Sequence, residues 1–119
     1  MRAFLREVAE MQMDKDLHPF YKARTVVPPQ DGWLRELRHV GGVPLEDIAR
    51  RLHTTRFGVM RLERAEKAGT ISLKALRRMA GALDCDVVYA VVPRTRTLVS
   101  RAAEMTERKL WKKRIRRKF

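Results

Sequence analysis

The sequence predicts a mainly α fold: a bundle of short helices, one short β-strand over residues 87–92, and a basic C-terminal helix. Three observations carry this. Apolar residues recur at helical spacing through four short segments between residues 31 and 84. Capping and breaking residues separate those segments: Asp31, Gly41-Gly42, Pro44, Thr55 and Ser72. One continuous run, VVYAVV, is β-branched and aromatic instead. The chain then divides into an N-terminal helix and connector arm (1–30), a four-helix region (31–84), a strand segment (85–93) and a basic amphipathic tail (94–119).

A chain of 119 residues allows one small domain with tails and a single modest core. Its net charge of +13 asks for a polyanionic partner, nucleic acid ahead of an acidic membrane surface or an acidic protein. The excess is uneven. Residues 93–119 hold 11 basic and 2 acidic side chains, against 16 and 12 in residues 1–92. One cysteine, Cys85, excludes an internal disulfide framework, and His18, His39 and His53 are too scattered for a zinc site. No signal peptide is apparent and no apolar run approaches about 18 residues. A soluble intracellular protein without a membrane partner is therefore expected.

Taken in order, residues 2–16 read as an amphipathic helix with Phe4, Leu5, Val8 and Met11 on one side. Residues 17–30 form a connector, with an extended piece at Thr25, Val26 and Val27 stiffened by Pro28 and Pro29. Asp31 can cap a helix over residues 33–40 that turns Trp33, Leu34, Leu37 and Val40 inward. Gly41-Gly42 ends it, and Pro44 suits the first turn of the next helix. That helix places Leu45, Ile48, Ala49 and Leu52 on one face. His53 and Thr54 interrupt the pattern, and Thr55 caps a further helix ending near Glu63, with Val59 and Leu62 inward. A polar connector, residues 64–70, precedes a helix capped by Ser72, with Leu73, Leu76, Met79, Ala80 and Leu83 at core spacing. The strand at 87–92 needs a partner. Either residues 24–27 or the same strand of a second subunit supplies it, which is the structural reason to expect a homodimer. In the tail, Trp111, Ile115 and Phe119 keep an apolar stripe through the basic cluster.

The stretch PLEDIARRLHTTRFGVMRLE (44–63) resembles the helix-turn-helix of the phage-repressor (XRE) class. The resemblance implies a lambda-repressor-like helix-turn-helix bundle whose second helix enters the DNA major groove. It also implies a partly buried pair between Arg38 and Glu63, a structural role. Two positions depart from the pattern: Leu45 stands where the family usually has glutamine, and His53 where it usually has glycine. Beyond the motif, GWLREL and RLERAEKAGTISLKALRRMAGALDCDVVYAVVP are similar to the family called mobile mystery protein A, over about residues 17–99. That family is generally encoded beside a Fic-domain protein. The likeness implies a bacterial, antitoxin-like DNA-binding regulator, cytoplasmic and nucleoid-associated when bound, with a Fic-domain enzyme as a possible partner.

On this reading the DNA-binding residues are Thr55, Arg56, Phe57, Met60, Arg61, Arg64 and Lys67. Arg56 and Arg61 bracket one exposed face, and an arginine in the major groove can bond guanine O6 and N7. Phe57 has no core duty there and can meet a thymine methyl. Thr55 offers a hydroxyl and a backbone N–H at a helix start, a phosphate site. Met60 is read equally as a groove-edge contact or as partial core, and Arg64 and Lys67, just beyond the helix, can reach phosphates. The basic tail reads as a phosphate-tracking arm, with a protein partner or the dimer mate as the alternative.

An enzyme is not expected. The sequence has no Gly-rich phosphate loop, no HExxH and no nucleophile–base pair, so catalytic residues, metals and cofactors are all read as none. The leading function is a sequence-specific, dimeric transcriptional repressor acting on an inverted-repeat operator in double-stranded DNA, antitoxin-like and autoregulatory. The alternative is an antitoxin-type interaction protein that holds an adjacent Fic-domain enzyme inactive. An architectural, non-specific DNA binder driven by the tail is the third.

Overall fold

Leu34, Ile48, Val59 and Met79 come from four separate helices and meet in one buried centre. The computed structural model describes residues 3–94 and, beyond them, Leu98, Met105, Arg108, Trp111 and Lys112. Among the described residues five α-helices are delimited: α1 (Ala3–Leu17), α2 (Trp33–Val40), α3 (Leu45–Arg51), α4 (Arg56–Ala68) and α5 (Leu73–Ala82). Single turns of 3₁₀ helix at His18–Phe20 and Lys22–Thr25 follow α1. The chain falls into two units, residues 27–89 and residues 3–26 with the described residues from 90 onward.

Local chemistry sets the helix ends. Pro44 is extended (φ −67°, ψ 150°) just before α3, one position earlier than its expected place in the first turn. Thr55 Oγ1 accepts the Gly58 N–H at 3.1 Å, and Ser72 Oγ accepts the Ala75 N–H at 3.1 Å, so both expected caps are made. α4 does not stop at Glu63. Residues 64–68 contain no breaker, and the helix runs on until Gly69, whose φ of 75° gives a left-handed C-terminal turn. In the short link from α3 to α4, His53 sits at φ 54°, the conformation that glycine adopts more cheaply. A Cβ on Gly58 would lie 2.3 Å from Thr54 Oγ1, so glycine is required for Thr54 to fold over the start of α4.

The core of residues 27–89 is small: Leu34, Ile48, Ala49, Leu52, Val59, Met79, Ala80 and Ala82, with Val43, Leu45, Leu62, Ile71, Leu76, Leu83, Cys85 and Val87 packed against it. Ala49 lets α3 and α4 approach closely, and its carbonyl accepts the Thr54 N–H at 2.9 Å. Arg78 and Arg51 reach back to the carbonyls of Leu52 and Ala82, closing the ends of α3 and α5. Of the four apolar residues expected inward on α2, only Leu34 is buried. Trp33, Leu37 and Val40 are exposed, as is Leu73 at the start of α5. An eight-residue helix meets this small core along one narrow line, so a broad apolar face is left over.

The strand expected over 87–92 is not formed in the single chain. Residues 85–93 are irregular, and no strand occurs among the described residues. The physical reason is that residues 22–25 are wound into a 3₁₀ turn, and a strand without a partner leaves its backbone groups unpaired. In the other unit, none of α1 is buried: Phe4, Leu5, Val8 and Met11 are all exposed. Asp14 accepts hydrogen bonds from the Tyr21 hydroxyl at 3.3 Å and the Leu98 N–H at 2.7 Å. Burial, then the Asp14 carboxylate, pushes the Tyr21 phenol up. Arg24 donates to the carbonyls of Pro93 and Arg94 at 2.6 and 2.5 Å. Of the expected C-terminal helix, Leu98, Met105, Arg108, Trp111 and Lys112 are helical. Ile115 and Phe119 lie outside the described residues.

Candidate nucleic-acid interface

Successive residues of an α-helix turn by about 100°. On α4 this puts Val59, Leu62, Glu63 and Glu66 on the inner side. It gathers Arg56, Lys67, Met60, Arg64, Phe57 and Arg61 within an outer arc of about 140°. Burial agrees: Val59 and Glu63 are buried, whereas Arg56, Phe57, Arg61, Arg64 and Lys67 are exposed and Met60 is half-buried. All the candidate residues therefore share one surface, with Thr55 at its N-terminal edge. Because α4 continues to Ala68, Arg64 and Lys67 project from the helix itself rather than from a connector.

Both carboxylates of α4 are turned inward and held by α2. Glu63 pairs with Arg38 at 2.5 Å (Nε to Oε1) and 3.3 Å (Nη2 to Oε2), and both side chains are largely buried. Arg38 also donates to the Val43 carbonyl at 3.4 Å. Glu66 accepts the backbone N–H groups of Trp33 and Leu34, each at 2.8 Å. It thereby caps the N-terminus of α2 from a neighbouring helix. Asp31, the cap expected from sequence, bonds Lys67 at 2.9 Å instead, and the Lys67 ammonium holds its carboxyl below the ordinary carboxylate range. The N-cap position of α2 belongs to Gly32, at φ 89°, where a Cβ would sit 2.8 Å from Glu66 Oε1.

The outer arc of α4 consequently carries four cations and no anion. Arg56 lies 3.5 Å from Glu46 and Lys67 has Asp31, both as exposed pairs worth little in water. Among the described residues Arg61 and Arg64 have no protein partner. Phe57 is 71% exposed, a large apolar group standing among these charges. A shallow cleft of about 150 Å³ lies beside them, lined by Arg35, Arg38, Met60, Glu63, Arg64 and Lys67. Such a surface can bond phosphates and base edges and can cover a methyl group. Glu66 was missed in the sequence because a polar connector was read where α4 continues; the signal was Gly69, the first helix breaker after Glu63.

Among the described residues no group of three or more His, Cys, Asp and Glu gathers as a metal site, and no helix is long and apolar enough to cross a membrane. No protein-family model, curated protein or solved structure matches the chain.

Proposed function

We propose that this chain is a sequence-specific transcriptional repressor that binds double-stranded DNA as a dimer, with α3 and α4 acting as a lambda-repressor-like helix-turn-helix. One observation carries the reading. Every acidic side chain on α4 is turned inward and engaged, so a thirteen-residue helix offers solvent only basic, apolar and small groups along one side. A helix of that kind suits the major groove, whose flanking phosphates attract its cations and would repel outward carboxylates. The resemblance to the XRE class and to mobile mystery protein A supports the same reading.

Arg61 and Arg64, without a protein partner among the described residues, are the base-reading candidates, each worth about 1–3 kcal/mol of discrimination when bidentate to guanine. Phe57 would cover a thymine methyl. Arg56 and Lys67 exchange Glu46 and Asp31 for phosphates, at small cost because both pairs are exposed. Thr55 and the first amides of α4 take a further phosphate at the positive end of the helix. Two copies placed about 34 Å apart would read an inverted repeat and occlude a promoter, that of the chain's own gene.

The test is selection of bound duplexes from a random pool near physiological salt, with wild type and Arg56→Ala/Arg61→Ala in parallel. An inverted repeat enriched by wild type alone is the expected result. Equal retention of unselected DNA by both proteins would overturn the reading.

A further inference from the structure

Val87–Val92 is the longest continuous apolar run in the chain; its ends, Val87 and Val92, are half-buried and its middle, residues 88–91, is exposed. Val88 is 74% exposed, and Tyr89 and Val91 are exposed with it. The backbone N–H and C=O groups of residues 86–92 make no hydrogen bond with the described protein. Within the unit of residues 27–89 an apolar cleft of about 270 Å³ adjoins the start of this run, lined by Trp33, Leu37, Leu76, Cys85, Val87 and Val88. An uncovered β-branched segment beside an uncovered apolar cleft is an adhesive surface that soluble proteins do not leave open.

We propose that a second copy of this chain covers it: residues 86–94 of two copies pair antiparallel about a two-fold axis, and the same contact buries the cleft. Three features select this occupant. Backbone N–H and C=O groups left without a protein partner along a β-branched run can be paired as a ladder by another extended segment, and the 3₁₀ turn at Lys22–Thr25 takes up half of the in-chain candidate, residues 24–27, considered from sequence. The charges flanking the run are self-complementary. Asp84 and Asp86 precede it, and Arg94 and Arg96 follow it. Antiparallel self-pairing sets the acids of one copy beside the arginines of the other at both ends, whereas parallel pairing would oppose like charges. With the axis through the facing pair of Ala90 residues, Val88 faces Val92, Tyr89 faces Val91 and Asp86 faces Arg94, β-branched, aromatic and opposite-charge pairs suited to a sheet. The contact is isologous, so it closes at two copies. It supplies the dimer that the DNA-binding reading requires and rests on that reading for its purpose, while its physical basis lies away from the outer arc of α4.

Sedimentation equilibrium of the full chain without DNA, across the micromolar range, tests the proposal. Wild type should dimerise. Val88→Asp, at a position exposed in the single chain, should leave the helix content of the folded chain unchanged and weaken the dimer by about 100-fold. Asp86→Arg should weaken it by about tenfold, and Asp86→Arg/Arg94→Asp should restore it. A wild-type monomer, Val88→Asp dimerising like wild type, or no recovery in the charge-swapped chain would each overturn the proposal. Arg56→Ala/Arg61→Ala should dimerise normally. A chain that dimerises as described yet binds no DNA refutes the repressor reading alone; a chain that binds its operator with no effect of Val88→Asp on dimerisation refutes this contact alone.

Discussion

Removing the Glu66 carboxylate should unlatch α2 from α4. Gly32, at the N-cap of α2, has no side chain to offer, so the Trp33 and Leu34 N–H groups depend on Glu66, each at 2.8 Å. Losing a cap costs about 0.5–2 kcal/mol, and a hydrogen bond to a charged group contributes about 1.5–3 kcal/mol. The two bonds share one carboxylate and are not additive, so Glu66→Ala should cost about 2–3 kcal/mol. Glu66→Gln keeps one acceptor oxygen, loses the charge that favours a helix N-terminus, and should cost about 1–2 kcal/mol. Urea unfolding followed by far-UV circular dichroism measures both. In a thermal melt, each kcal/mol corresponds to about 4–8 °C for a unit of this size. Asp31→Asn is the control: it removes the cap expected from sequence but only an exposed pair in the structure, and should cost much less than Glu66→Ala. A Glu66→Ala loss below about 0.5 kcal/mol, or a larger loss in Asp31→Asn, would refute the latch.

Further outcomes follow from neighbouring residues. Gly58→Ala should destabilise by about 1–3 kcal/mol through collision with Thr54 Oγ1, and in a Thr54→Ala background the same change should become neutral or slightly stabilising, as helix propensity alone dictates; chemical denaturation of the four variants checks the reversal. Arg38→Met should cost about 3–5 kcal/mol by stranding the buried Glu63 carboxylate, and Arg38→Met/Glu63→Leu should regain most of it, read as a double-mutant cycle. The Asp31 carboxyl is held below its ordinary range in the folded chain, so its pair with Lys67 adds stability above about pH 4 that fades as pH falls through the lower, folded value. Melts of wild type and Asp31→Asn over a pH series should therefore differ at neutral pH and converge in acid.

Local signals carried well from sequence to structure. Thr55 and Ser72 cap where a hydroxyl before an apolar-periodic segment says they should, and Ile48, Ala49, Leu52, Val59 and Met79 are buried as their spacing requires. Long-range choices did not carry. Periodicity identifies an apolar face on α2 without saying whether the chain has enough surface to cover it, and Trp33, Leu37 and Val40 stay outside. Composition identifies VVYAVV as strand-like, but a strand needs a second segment, which no one-dimensional pattern supplies. The cap on α2 comes from Glu66, 33 residues downstream of Trp33, whereas propensity favoured Asp31 next door. The candidate site was more legible, because its residues lie on a single helix whose inner face is fixed by Val59 and Glu63. The later end of α4 changes how Arg64 and Lys67 are presented, not which side they occupy.

The most direct test of the account is an anisotropy titration of the duplex enriched from the random pool. Wild type would be compared with Arg61→Ala/Arg64→Ala and with Lys15→Ala/Lys74→Ala, a pair of exposed cations on α1 and α5 with the same total charge change. If α4 reads DNA, the first variant should lose about 100-fold in affinity or more, and the second should stay within about threefold of wild type. Equal losses in the two variants, or none in the first, would contradict the claim that the outer face of α4 is the DNA-reading surface.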